Sequence, residues 1–297
     1  MRDRLAPRLQ QFADARTVID AEGLDGVRAG IDARRRAEVA EMAVAGLTVS
    51  DTAVPGGDRE IAVRIYRPAG PVASALFCHS GAFVLGNLDI DHRLCVELAR
   101  RARVAIVSVD YRLAPEHSYP AALTDALGAL AWIADAMPGP VGVIGSSAGG
   151  CLAATVAQRS ADGHAPALAF QVLHQPVLDD RPSPAKEEFT ATLGFDGPAA
   201  VQMWRYYLGA HQPDAASVPG RREGLAGLAP AFVSCAELDP LRDEALDYAI
   251  RLTWAQVPTE LHLFPGACHG FDALAPDWEL SQTLFELAAA FIGRQVG

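Results

Sequence analysis

The feature that most constrains this chain is a series of short apolar runs separated by longer helical patterns. Runs at 47–54, 61–68, 74–80, 104–110, 141–146, 168–176, 231–238 and 260–265 carry the β-branched and aromatic residues of strands. Several are apolar throughout, as in Ala75-Leu76-Phe77-Cys78 and Val141-Gly142-Val143-Ile144. A strand with one wet face alternates apolar and polar residues. A strand without alternation is buried on both faces, as in a parallel sheet covered by helices. Helical patterns fill the gaps at 91–102, 119–136, 148–162, 243–255 and 277–293. The alternation predicts an α/β architecture with a mostly parallel, eight-stranded sheet and helices on both faces.

Two regions fall outside the alternation. Residues 1–45 are helical in pattern, and their arginine run Arg34–Arg36 reads as a solvated face. Residues 179–225 carry Pro182, Pro184, Pro198, Pro213 and Pro219 around the aromatic cluster Trp204, Tyr206 and Tyr207. An insertion of that composition within a sheet reads as a lid. The expected division is therefore a helical cap from 1–45 and 179–225, and a core from 46–178 and 226–297.

Charge and composition remove whole classes of function. Lys+Arg 25 against Asp+Glu 36 gives a net charge of −11, which opposes binding to nucleic acid or an anionic membrane. No run of about 18 apolar residues is present, so no membrane span is expected. The N-terminal MRDRLAPRLQ has no apolar run of signal-peptide length. Cys78, Cys95, Cys151, Cys235 and Cys268 are odd in number and scattered, which reads as free thiols in a reducing cytoplasm. Lys186 is the sole lysine and follows Ala185, so a Walker A loop is excluded. Ser183-Pro184-Ala185-Lys186 has the spacing of an S-x-x-K nucleophile, but the later lysine that such enzymes use is missing. No H-E-x-x-H occurs, Asp179-Asp180 reads as a hinge, and no metal or organic cofactor is expected.

The strongest chemical signal is Gly145-Ser146-Ser147-Ala148-Gly149, a G-x-S-x-G between the strand Val141–Ile144 and the small-residue helix that opens at Ala148. A serine in this context sits at a turn so sharp that the residues two before and two after must be small. Ser147 is thus the candidate nucleophile, and the free N–H groups of the following helix face the same point. A second signal, His79-Ser80-Gly81-Ala82-Phe83, follows the strand 74–78. The N–H groups of Gly81, Ala82 and Ala148 are candidate oxyanion donors.

A nucleophilic serine needs a base, and the base needs an orienting acid. In this motif's chain order the acid and then the histidine follow the serine. Downstream histidines are His164, His174, His211, His262 and His269. His269 stands in a glycine-bearing loop at a strand end, where functional residues of parallel sheets collect. His262 alternates within the strand, and His164 and His211 occupy polar loops. Asp239 opens the loop after strand 231–238, Glu237 is still within that strand, and Asp243 reads as a helix N-cap. Asp239 and His269 are the chosen partners, with Asp243 the competing acid. Phe83, Leu85, Trp204 and Tyr207 are the candidate substrate-binding side chains.

From about Tyr66 to the C-terminus, these segments together resemble the bacterial hormone-sensitive-lipase-like carboxylesterases of the α/β-hydrolase superfamily. Ser147 falls in a GSSAGG version of the family's GDSAGG. Asp239 falls on the first acid of its DPLxDE, here Asp239-Pro240-Leu241-Arg242-Asp243-Glu244. His269 falls on its HGF, and Asp110-Tyr111-Arg112-Leu113-Ala114-Pro115-Glu116 is a further family-like segment. The resemblance implies an α/β-hydrolase fold with a cap, and a serine carboxylesterase acting on small, short-acyl esters through an acyl-enzyme. Acyl transfer, or amide or lactone hydrolysis, would use the same residues. A non-catalytic receptor on this scaffold would be expected to lack His269. A homodimer is possible on this scaffold.

The chain also departs from the family pattern. Ser80 and Ala82 replace two glycines of the usual HGGGF, and Ser146 replaces an acidic residue. A glycine held at positive φ resists replacement, so the turn is expected to be shifted or strained. The three-glycine turn is associated in the family with bulky tertiary-alcohol esters, which this chain is expected to handle poorly.

Overall fold

The computed structural model describes residues 2–16, 19, 20 and 22–297. Eight strands form one sheet: β1 (Leu47–Pro55), β2 (Glu60–Pro68), β3 (Ser74–Cys78), β4 (Ala105–Val109), β5 (Val141–Ser146), β6 (Phe170–His174), β7 (Ala231–Leu238) and β8 (Thr259–Cys268). Their spatial order is β1-β2-β4-β3-β5-β6-β7-β8. The pairs β1–β2 and β2–β4 are antiparallel, and every other neighbouring pair is parallel. The apolar runs account for this. β3, β4, β5 and β6 are buried at every position, whereas β1, at the antiparallel edge, is mostly exposed. Each fully buried Val, Leu, Ile or Phe contributes about 1.5–3 kcal/mol, which no alternating strand could collect from both faces.

The helices are α1 (Leu24–Glu41), α2 (His92–Ala102), α3 (Ala121–Ala136), α4 (Ala148–Ala161), α5 (Pro184–Glu188), α6 (Gly197–Leu208), α7 (Arg242–Trp254), α8 (Phe271–Leu274) and α9 (Glu279–Val296). Two apolar clusters flank the sheet. One joins α3, α4, α6 and α7 to one face, and the other joins α2 and α9 to the opposite face. Among the described residues, no helix is long and apolar enough to cross a membrane. All five cysteines are buried and free.

The two regions outside the alternation meet above the sheet. The Gly194 N–H donates to the Ala15 carbonyl at 3.1 Å, and Arg16 donates to the Ala191 carbonyl at 2.7 Å. Residues 1, 17, 18 and 21 of the expected cap lie outside the described residues. The helical pattern of 1–45 becomes α1 preceded by two 3₁₀ turns at Arg2–Arg4 and Gln10–Phe12. Prolines in the insertion start helices rather than only breaking them. Pro184 and Pro198 occupy first turns, where a missing N–H costs nothing, and Ser183 and Asp196 cap the two helices. The sole lysine is buried: Lys186 reaches Glu244 on α7 at 2.5 Å and ties the insertion to the core.

Two sequence expectations change here. Arg34–Arg36 is a solvated face only in part: Arg34 and Arg36 are exposed as expected, but Arg35 is half-buried, and Arg34 and Arg35 border the cleft described below. The aromatic cluster does not form a lid surface either. Trp204 and Tyr207 are 4% and 1% exposed and pack into the core, since burying that much aromatic area outweighs presenting it to solvent.

Candidate active site

The chain leaves β5, turns at Ser147 and enters α4 at once. Ser147 has φ 52° and ψ −117°, a left-handed conformation that costs a residue with a Cβ about 1–3 kcal/mol. The neighbouring glycines make it possible. A Cβ on Gly145 would collide with the Gly149 carbonyl, and one on Gly149 with the carbonyls of Cys78 and His79. The Ser147 N–H donates to the His174 carbonyl at 2.9 Å, and its carbonyl accepts from Val177 at 3.0 Å, so the elbow is fixed from both sides.

Three side chains from three strand ends converge there. Ser147 Oγ lies 2.9 Å from His269 Nε2, and His269 Nδ1 lies 2.8 Å from Asp239 Oδ2. Asp239 is fully buried and also accepts the Leu241 N–H at 2.8 Å through Oδ1. An ionised Asp239 accepts from Nδ1–H, which leaves Nε2 unprotonated to accept the serine hydroxyl. Burial pushes the His269 pKa down, but the charge and hydrogen bond of Asp239, with Asp272 and Asp91, outweigh it and raise the pKa. The competing acids are occupied elsewhere. Asp243 lies within the first turn of α7 rather than at its N-cap, which is Leu241, and it accepts from Ala185 N–H at 2.7 Å. Glu237 accepts the Gly266 N–H at 2.7 Å. His262 stacks on Phe232 at 5.0 Å, as its alternation suggested. Cys268 is buried beside His269, and burial pushes its thiol up to about 12, so it packs rather than reacts.

The turn after β3 brings the Gly81 and Ala82 N–H groups beside the elbow. Among the described residues neither finds an acceptor. Ala148 opens α4, so its N–H has no partner within the helix either. The expected strain is present: φ is 122° at Gly81, 54° at Ala82 and 60° at Phe83. His79 is fully buried and stacks on Tyr111 at 4.1 Å. Burial pushes its pKa down to about 4, so it stays neutral and donates from Nδ1 to the Ser80 carbonyl at 2.6 Å.

A cleft of about 180 Å³ opens over these groups. Ser147 and His269 face it together with Gly81, Ala82 and Leu85 of the turn, Ile19, Ile31, Arg34 and Arg35 of the N-terminal region, and Phe195 of the insertion. Leu85, a candidate substrate-binding side chain, lines this cleft. Phe83, Trp204 and Tyr207 are not part of this wall. Phe83 stacks on Tyr207 at 3.9 Å, and Trp204 packs beside both behind the cleft. Phe195, with its ring 5.2 Å from that of His269, takes the place expected of them.

Sequence reasoning also missed a second histidine–carboxylate pair in the same wall. His174 Nε2 lies 3.0 Å from Asp272 Oδ1, and Ser234 Oγ lies 2.8 Å from His174 Nδ1. Next to it, Gln175 Oε1 accepts the Gly270 N–H at 2.6 Å and pins the loop that carries His269. His174 ends a strand and Asp272 opens a short helix, so no local spacing advertised the pair.

A family profile described as the alpha/beta hydrolase fold matches residues 75–273. Over 242 residues the chain is 40% identical to the esterase LipI of Mycobacterium tuberculosis, covering 76% of this chain and 75% of that one. It is 33% identical over 263 residues to an ethyl acetate hydrolase of Pseudomonas putida, covering 81% and 82%. The crystal structure of esterase LipW from Mycobacterium marinum superposes with a TM-score of 0.96 at 52% identity, covering 99% of this chain and 96% of that one. The chain belongs to the hormone-sensitive-lipase-like family of the α/β-hydrolase superfamily, a family of carboxylic ester hydrolases.

Proposed function

We propose that the chain hydrolyses small, short-acyl carboxylic esters through an acyl-enzyme formed on Ser147. The observation that carries this reading is the continuous hydrogen-bonded line from Ser147 Oγ through His269 to Asp239. His269 takes the hydroxyl proton as Ser147 attacks the ester carbonyl, and Asp239 holds the tautomer and stabilises the imidazolium. The N–H groups of Gly81, Ala82 and Ala148 receive the oxyanion, each donor contributing about 3–4 kcal/mol to the transition state. His269 returns the proton to the leaving alcohol, then activates water to release the acid.

The cleft of about 180 Å³ supports a small substrate. The name of the ethyl acetate hydrolase points the same way. The N-terminal region and the 179–225 insertion act as the cap that bounds the acyl and alcohol sides, through Ile19, Ile31 and Phe195. Five buried, free thiols agree with a cytoplasmic enzyme.

The test is turnover of p-nitrophenyl esters of increasing acyl length. Wild type should be fastest on acetate to butyrate, and Ser147→Ala should abolish the activity. An active Ser147→Ala protein, or a preference for long chains, overturns the reading. tert-Butyl esters should be turned over more slowly than ethyl esters because the Ala82 methyl borders the cleft.

A further inference from the structure

The oxyanion turn contains two consecutive residues, Ala82 and Phe83, that have side chains yet hold positive φ, at 54° and 60°. A Cβ disfavours that backbone, and it persists only where surrounding bonds over-determine it. After the strained pair the restraints are plain. Val84 and Leu85 donate to the Gly81 carbonyl at 3.0 and 2.8 Å, and the Phe83 carbonyl accepts from Ala114 at 2.9 Å. Arg28 of α1 donates to the Val84 carbonyl at 2.7 Å.

Before the strained pair Tyr111 Oη–H donates to the His79 carbonyl at 2.8 Å and His79 Nδ1–H to the Ser80 carbonyl at 2.6 Å, and the remaining restraint comes from one carboxylate. Ser80 N–H donates to Asp91 Oδ2 at 2.6 Å, and Ser80 Oγ–H donates to Asp91 Oδ1 at 3.1 Å. Asp91 occupies the N-cap of α2, where an aspartate usually accepts from the helix's own N–H groups. Its side chain makes no such bond. It turns back instead to Ser80, whose hydroxyl exists only because a serine stands at that position.

We infer that Ser80 and Asp91 form a clamp that holds the oxyanion turn in the left-handed conformation Ala82 resists, which makes both of them positioning residues for the oxyanion donors. The inference rests on the reading of Gly81 and Ala82 as those donors. Without the Ser80 hydroxyl only the Ser80 N–H still holds Asp91, so the clamp is weakened, residue 82 relaxes toward negative φ and its N–H swings away from the developing charge. A glycine at 82 adopts the left-handed backbone without a Cβ penalty, so it makes the clamp redundant. Serine 80 and alanine 82 are then coupled, and their effects do not add.

The experiment is a double-mutant cycle of wild type, Ser80→Ala, Ala82→Gly and the double variant on p-nitrophenyl butyrate. Ser80→Ala should lower kcat about tenfold, which is about 1.4 kcal/mol, and leave KM within about twofold. In the Ala82→Gly background the same change should cost less than about threefold. Affinity for a trifluoromethyl ketone, whose adduct with Ser147 carries an oxyanion, should fall in step with kcat. Asp91→Ala, as a second way to open the clamp, should also lose less kcat in the Ala82→Gly background. Equal losses in both backgrounds, or an unchanged kcat in Ser80→Ala, overturn the clamp. A wild-type protein without esterase activity, or an active Ser147→Ala, would instead overturn the reading on which it rests.

Discussion

Two histidine–carboxylate pairs stand beside one cleft, and they address different hydroxyls through different ring nitrogens. His174–Asp272 is buried and His269–Asp239 part-buried, and they are hydrogen-bonded at 3.0 and 2.8 Å. The free nitrogen of His269 meets Ser147 Oγ, whereas the other nitrogen of His174 meets Ser234, a serine within β7. Ser147 stands on a strained elbow at a helix N-terminus, beside unpaired N–H groups. Ser234 is fully buried in a strand, with no room for a tetrahedral centre. A similar imidazole–carboxylate unit thus addresses a hydroxyl on an open, strained elbow in one place and a hydroxyl enclosed in a strand in the other.

Substitutions can break this comparison. The largest effect is expected for the imidazoles. His269→Ala should lower kcat by roughly 10⁵–10⁶-fold, as for other members of such triads, while His174→Ala should keep kcat within about tenfold and lower Tm instead. Steady-state kinetics with a thermal melt separates them, and comparable losses of kcat would end the distinction. The carboxylates come next. Asp239→Asn should cost about 10⁴-fold in kcat, because the amide enforces the wrong tautomer. Asp272→Asn should act chiefly on stability. Burial raises the Asp272 pKa, but the charge and hydrogen bond of His174 outweigh it and hold the pKa below its usual value. The stability this contributes is present above the unfolded pKa and is lost as pH falls through the folded one. Asp272→Asn should therefore be most destabilising near neutral pH and lose that effect in acid, as read from melts across pH.

The smallest effect is the sharpest. The base works only as neutral imidazole, so kcat/KM should rise with pH through the His269 pKa, which lies above its ordinary value. Nearby carboxylates favour the imidazolium, and removing one lowers that pKa. Asp272→Asn should hence move the acid limb of the pH–rate profile to lower pH by a fraction of a unit, and a shift to higher pH would contradict the electrostatic account.

Much of the site was legible without coordinates because its constraints are local. The elbow needs small residues two before and two after Ser147, and the strand–turn–helix order surrounds them in sequence. Asp239 and His269 follow strands whose ends face the same edge of a parallel sheet. The pocket wall was not legible. Phe83, Trp204 and Tyr207 are large and aromatic near the site, but one aromatic cluster is as good a core as a wall, and here they pack against each other. Arg35 carries no sign of being covered at the cleft edge, since only the docking of α1 over the cleft places it there. The bonds from Arg28 to Val84, Ala114 and Glu116 that set this docking span 56 to 88 residues.

By itself the sequence determined the layered sheet and singled out Ser147, Asp239 and His269 as candidates, because apolar periodicity and steric rules at a tight turn act over a few residues. Only the tertiary structure decided which groups line the cleft, which of the histidine–carboxylate pairs reaches Ser147, and how Ala82 is held in a backbone it disfavours. Those outcomes depend on contacts between segments distant in sequence, where many packings satisfy the same local pattern and the global burial of side chains selects one.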